Sequence, residues 1–161
     1  NLGRSISYGA ELETEWALIE GLTAIINIGS LETEITDYET IGPGGELDNA
    51  GHKQGYSPRF NGNVGISYER SINSLITLRA TADYQYQTDM FFDAENTIEQ
   101  EAYGLLNARF VISSERADLT FWGQNLTDEV YFSYGYGVGG AGSFANYGLP
   151  RTIGSKLTVK F

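Results

Sequence analysis

Apolar and polar residues alternate along most of this chain with a period of two. The final stretch shows it most cleanly. Odd positions from Ile153 read Ile153, Ser155, Leu157, Val159 and Phe161, and the even ones read Gly154, Lys156, Thr158 and Lys160. Successive strand side chains point to opposite faces, so the spacing predicts a strand with one apolar and one polar face. Over 6–16, Ile6, Tyr8, Ala10, Leu12 and Trp16 share a face with Thr14, and Glu11, Glu13 and Glu15 share the other with Ser5, Ser7 and Gly9. Three glutamates on one face require water or partners, because a buried unpaired charge is costly. Leu22, Ala24, Ile26 and Ile28 oppose Thr23, Asn27 and Gly29, with Ile25 interrupting the polar side. Phe60, Gly62, Val64, Ile66 and Tyr68 oppose Arg59, Asn61, Asn63, Gly65, Ser67 and Glu69. Ile76, Leu78, Ala80, Ala82, Tyr84 and Tyr86 oppose Thr77, Arg79, Thr81, Asp83, Gln85 and Gln87. Leu106, Ala108, Phe110 and Ile112 oppose Asn107, Arg109 and Val111. Leu119 and Phe121 oppose Asp118, Thr120 and Gln124, and here Trp122 interrupts the polar side.

The connections carry a second pattern. Turns at 19–21, 71–74 and 113–116 are short, whereas 39–58, 89–101 and 131–148 are long and rich in glycine, acidic residues or tyrosine. Short and long connections alternate, so all long ones fall at one end. Outer-membrane barrels have this asymmetry, with short periplasmic turns and longer extracellular loops. Trp16 and Tyr68 lie beside short turns and Tyr84 and Tyr86 beside a long loop, as two aromatic girdles require. The expected fold is all-β: an antiparallel transmembrane β-barrel portion of about seven strands, which is an open curved sheet if isolated.

Composition narrows the alternatives. A net charge of −11 argues against a nucleic-acid partner. No apolar run approaches the roughly 18 residues of a helical membrane span, which excludes only helical membrane proteins. Mean hydropathy is −0.26, as expected when half of each strand faces a polar lumen. There are no cysteines, so neither a disulfide framework nor a thiolate metal site is available. No signal peptide is recognisable at Asn1, so an exported protein is expected to begin upstream of it.

Four segments resemble one family. They are Gly3-Arg4-Ser5 with Tyr8-Gly9-Ala10-Glu11-Leu12-Glu13; Tyr103-Gly104-Leu105-Leu106-Asn107-Ala108-Arg109; Trp122-Gly123-Gln124-Asn125-Leu126-Thr127-Asp128-Glu129-Val130-Tyr131; and Pro150-Arg151-Thr152 with the strand to Phe161. In that order they resemble the C-terminal part of the barrel of TonB-dependent outer-membrane receptors. The resemblance implies a barrel of about 22 strands with a plugged lumen. Residues 1–161 would be its last seven strands, with the plug domain and the earlier strands absent. It implies import of a scarce nutrient, most often a ferric siderophore, energised through TonB. Implied partners are outer-membrane lipid, the plug domain and remaining strands, the TonB complex and the barrel-assembly machinery. Phe161 would be the outer-membrane insertion signal.

Candidate chemistry is sparse. His52 sits in a glycine-rich loop and reads as solvent-exposed rather than as a metal ligand or triad member. Asp89, Asp93, Glu95, Glu99 and Glu101 lack calcium-loop spacing and read as a solvated acidic loop. Gly139-Gly140-Ala141-Gly142 is no phosphate loop, because no Lys-Ser/Thr follows. Asn125 and Asp128 are expected to cap local backbone. Glu11, Glu13, Glu15, Arg79, Asp83 and Arg109 are expected to line the lumen. Tyr134, Tyr136, Phe144 and Tyr147 form the best ligand candidate, with aromatic faces suited to a siderophore or sugar; the alternative is that they finish tall strands above the membrane. No catalytic residue, cofactor or metal is expected. A small complete barrel serving as anchor or adhesin remains an alternative, as does a soluble β-sandwich binding module.

Overall fold

The computed structural model describes residues 3–42, 45–138 and 142–161. Asn1, Leu2 and the loop residues Pro43, Gly44, Gly139, Gly140 and Ala141 lie outside the described residues. Seven long strands form one antiparallel sheet: β1 (Arg4–Ile19), β2 (Leu22–Asp37), β5 (Phe60–Ser71), β6 (Thr77–Gln87), β9 (Tyr103–Ser113), β10 (Ala117–Gln124) and β13 (Thr152–Val159). They lie side by side in chain order. The remaining strands form two-stranded hairpins inside the three long connections. These are β3 (Glu39–Gly42) with β4 (Gly45–Asp48), β7 (Met90–Phe91) with β8 (Glu99–Gln100), and β11 (Phe132–Val138) with β12 (Gly142–Tyr147). The sequence pattern alone predicts loops for these three segments, because none of them carries a sustained alternation.

Register confirms the two faces. Paired residues of antiparallel strands point to the same side. Leu12 pairs with Ile28, Ile28 with Gly62 and Gly62 with Tyr86. Ile66 pairs with Ala24 and Ala82, and Phe110 with Ala80 and Phe121. This face is apolar across the middle of the sheet. On the other face Glu13 pairs with Asn27, Asn27 with Asn63 and Asn63 with Gln85, and Asp83 pairs with Asn107. The Arg79 guanidinium is bonded to Glu69, and Asn107 Nδ2 donates to Asp83 at 2.9 Å.

The two interruptions of the polar face have local causes. A side chain at Gly154 would stand 2.5 Å from Trp122, so the indole lies flat over its cross-strand glycine. Ile25 sits between Glu15 and Gly65, where the glycine leaves room for it.

Neither face is covered. Leu12, Trp16, Val64, Ile66 and Phe121 are exposed on the apolar side. Among the described residues no second sheet packs against either side, which removes the sandwich alternative. β1 and β13 do not pair with each other, so the seven strands do not close by themselves into the small complete barrel. Phe161 lies past the end of β13 and is fully exposed; Lys160 N still donates to Arg116 O at 2.8 Å, which extends the last pairing by one step.

Candidate functional site

The buried side chains of this chain are mostly in its loops. Ile35, Met90 and Phe92 are its buried hydrophobic residues among those described, and Asn49, Gln100, Thr120 and Asn125 are the buried polar ones. Ile35 and Thr120 lie on the inner face, in β2 and β10, and the other five lie in the long connections. A sheet with lipid on one side and a lumen on the other has no dry core, so the packed layer forms where three loops meet.

Buried amides and tight turns build that layer. Asn49 Nδ2 donates to Thr40 Oγ1 at 3.0 Å and to the Tyr38 carbonyl at 3.2 Å, which folds β3–β4 back on β2. Thr40 in turn donates to Glu95 in the second connection. Lys53 N donates to Asn96 Oδ1 at 2.8 Å, and Asn96 Nδ2 returns a bond to the Lys53 carbonyl at 2.9 Å. Asn96 holds a φ of 54°, a conformation asparagine tolerates better than most residues. His52 is half-buried, and its Nδ1–H donates to the Ala94 carbonyl at 3.0 Å. It therefore ties two loops together instead of facing solvent as the sequence suggests. The acidic loop is likewise ordered: Asp93 accepts bonds from Thr97 N, Thr97 Oγ1 and Ile98 N, closing the β7–β8 turn.

The third connection joins through Gln100, whose Oε1 accepts the Phe132 N–H at 2.6 Å. Tyr103 stacks on Tyr131 at 4.4 Å between ring centroids. Phe92 lies over Gly135, where a Cβ would stand 2.4 Å from its ring. Tyr56, with a φ of 60°, donates its hydroxyl to the Gly135 carbonyl at 3.1 Å. Desolvation, opposed by the Gly135 hydrogen bond and reinforced by Tyr134 nearby, pushes the Tyr56 phenol above its ordinary value.

These contacts place the expected aromatic residues in a row. Phe92 packs on Tyr56 at 5.2 Å, Tyr56 stacks on Tyr134 at 5.9 Å, Tyr134 tilts against Tyr136 at 5.7 Å, and Tyr136 stacks on Phe144 at 5.7 Å. Tyr134, Tyr136 and Phe144 are about half-exposed. Tyr147 stands apart from this rail and packs on Phe132 at 5.0 Å near the hairpin base. Sequence reading missed Tyr56 and Phe92, which anchor the rail. Their segments have no periodicity, although Tyr56 beside Gly55 was a visible turn signal.

The Asn-Leu-Thr-Asp and Pro-Arg segments prove to be two halves of one clip. Asn125 Nδ2 donates to the Glu129 carbonyl at 2.8 Å and to the Leu149 carbonyl at 3.1 Å, while its Oδ1 accepts the Glu129 N–H at 2.8 Å. Asp128 accepts the Arg151 N–H at 3.0 Å and pairs with its guanidinium at 3.6 Å. Leu126 folds over Gly123, where a Cβ would stand 2.5 Å from it. Asn125 and Asp128 hold φ values of 49° and 59°. The clip fixes both feet of the β11–β12 hairpin. Asn125→Ala is expected to destabilise the full-length receptor by about 1–3 kcal/mol, because it strips a buried, fully bonded amide from its partners. An unchanged urea midpoint in lipid would show that the clip is dispensable.

A one-layer antiparallel meander with an apolar outer face, a polar inner face and tall loops at one end is the wall of an outer-membrane β-barrel. Comparison with known proteins identifies which kind. A family model described as TonB dependent receptor-like, beta-barrel, matches residues 1–126. The chain is 26% identical over 167 aligned residues to the pesticin receptors of Yersinia pestis and Yersinia enterocolitica, covering 100% of itself and 23% of each relative. The crystal structure of the ferric yersiniabactin uptake receptor FyuA from Yersinia pestis matches with a TM-score of 0.86 at 24% identity, over 100% of this chain and 24% of that one. The siderophore receptor PiuA from Acinetobacter baumannii matches with a TM-score of 0.75 at 22% identity, over 98% and 22%. The chain belongs to the TonB-dependent receptor family, whose members are outer-membrane proteins of Gram-negative bacteria. It spans about a quarter of the length of the curated relatives it matches.

Proposed function

We propose that this chain is a seven-strand sector of an active transporter that imports a ferric siderophore, energised through TonB, and that it has no enzymatic role. The observation that carries the reading is the aromatic rail from Phe92 through Tyr56, Tyr134 and Tyr136 to Phe144. It stands in the long connections, at the end of the sheet where a ligand from outside arrives first. Half-exposed rings offer flat apolar faces to a chelate, and the interlocked loops below hold them in place. FyuA, a ferric yersiniabactin uptake receptor, and PiuA, a siderophore receptor, share this fold, which agrees with the cargo. Within the reading, Tyr134, Tyr136 and Phe144 touch the cargo, Tyr147 supports the hairpin base, and Phe161 marks the C-terminal strand for insertion by the barrel-assembly machinery.

The open edges of β1 and β13 require further strands, and the lumen face requires a filling domain. Glu11, Glu13 and Glu15 face that lumen without a cation among the described residues, and Asn63 Oδ1 is buried there without a hydrogen-bond partner. A plug domain seated against this wall supplies donors to the three glutamates, and carries the segment that engages TonB.

Growth on single iron sources, with and without the intact gene, tests the cargo. Loss of growth on a ferric siderophore is the expected result; a defect confined to a vitamin or a saccharide would replace the cargo. In the full-length receptor, Tyr136→Ala is expected to weaken binding of the ferric chelate by about 2–10-fold, the worth of one aromatic contact. Equal binding by Tyr136→Ala and wild type would remove the rail from the site.

A further inference from the structure

We propose that the outer wall holds one phospholipid of the periplasmic leaflet, with an acyl chain in a trough between β5 and β13 and its phosphate at Arg70. The trough has a volume of about 530 Å³ and a floor of small residues, Ala80, Ala82 and Ala108, with Leu126 lying over Gly123 at its far end. Tyr68, Ile66, Phe110 and Phe121 wall it. Register explains why it exists. Tyr68 pairs with Ala80 and Phe110 with Ala80 and Phe121, so large side chains flank a small one. In the next row Ile66, Ala82, Ala108, Gly123 and Ile153 follow one another across five strands. Ala82 and Ala108 leave a depression in a wall that is otherwise lined with bulky groups, and Leu126, folded over Gly123, closes it on the β10 side.

The polar anchor is Arg70. It pairs with Leu78, which places it on the outer face, one row nearer the short turns than Tyr68 and Ala80. It is exposed and has no acidic partner among the described residues, unlike Arg79 on the opposite face. A cation on a lipid-facing strand near the periplasmic rim sits at headgroup depth, where a phosphate neutralises it. From the row of Arg70 to that of Ala82 is four residues, or about 13 Å, a distance an acyl chain descending from the headgroup spans. The short turns mark the periplasmic side, so the leaflet is the phospholipid one. The inference rests on the membrane placement of this wall and is independent of the cargo.

Native mass spectrometry of the full-length receptor, extracted from its own membrane in mild detergent, tests it. Wild type and Ala10→Leu, an outer-face change on β1 away from the trough, are expected to retain one phospholipid. Ala82→Leu fills the trough and is expected to lose it. Arg70→Gln is expected to lower retention of added phosphatidylglycerol about five-fold, the worth of one basic residue at an anionic headgroup, with little change for the trough-filling apolar contact. Heat-modifiable migration of each variant reports that its barrel is folded, and ferric chelate binding reports the cargo reading separately. Equal phospholipid retention by all variants overturns the proposal. So does retention of lipopolysaccharide in place of phospholipid, or a receptor dimer that Ala82→Leu dissociates.

Discussion

Ile66→Arg should lower the folding stability of the intact receptor in lipid by about 2–4 kcal/mol, the range for a cation on the lipid face near the bilayer midplane. Ile66 lies in the middle of the wall, between Ala24 and Ala82, and its side chain is about half-exposed on the outer face. Ser67→Arg, one position along, should cost much less. Ser67 pairs with Thr23 and Thr81 on the inner face, so the new guanidinium enters the aqueous lumen. Reversible urea titrations of the two variants measure the contrast. Equal losses would mean that the two faces meet the same solvent, and the barrel-wall reading would fail. Leu78 is a poorer probe, because it pairs with Arg70 close to a short turn, where depth-dependent penalties shrink.

Residues 1–161 produced on their own should aggregate, or form sheets only by pairing their edges with other chains. β1 and β13 each offer an unpaired backbone edge. In lipid every such unpaired group costs several kcal/mol, which is why membrane sheets close. In water the outer face presents Ile6, Tyr8, Leu12, Trp16, Ile153 and Leu157, all more than half-exposed, and the open edges recruit further strands. Sedimentation and denaturant titration of the isolated piece decide the matter. A monodisperse monomer with a cooperative transition would refute this account of what the sheet lacks.

The seven long strands were legible because both solvents of a barrel wall impose the same period-two pattern on every strand. The pairing of Leu12 with Ile28, and of Asp83 with Asn107, follows from that alternation together with the turn positions. The alternation of short and long connections set the orientation. Three things were illegible for physical reasons. The hairpins at β3–β4, β7–β8 and β11–β12 carry no sustained alternation, since neither of their faces meets a uniform medium. Their form depends on Asn49, Asp93 and Gln100, single buried or turn-closing groups whose partners are distant in sequence or specific to one turn. The aromatic rail was half visible: Tyr134, Tyr136 and Phe144 stood out among glycines, whereas Tyr56 and Phe92 join them through Gly135 and the Tyr56–Tyr134 stack, contacts between residues far apart in the chain. Trp122 looked like a fault in the pattern until Gly154 was placed beneath it.

The interlocking of the three long connections bears on how such a receptor acquires a new specificity. Thr40 is tied to Glu95, His52 to Ala94, Lys53 to Asn96, and Gln100 to the backbone of Phe132. Replacing one loop by recombination strips the other two of their partners and unseats Phe92 and Tyr56. The three loops are therefore expected to be exchangeable only as a single cassette. Chimeric receptors are expected to tolerate crossovers in the strands below it, where any sequence that keeps the alternation fits, and under the proposed function a change of cargo is to be sought in point changes on the exposed rings of Tyr134, Tyr136 and Phe144.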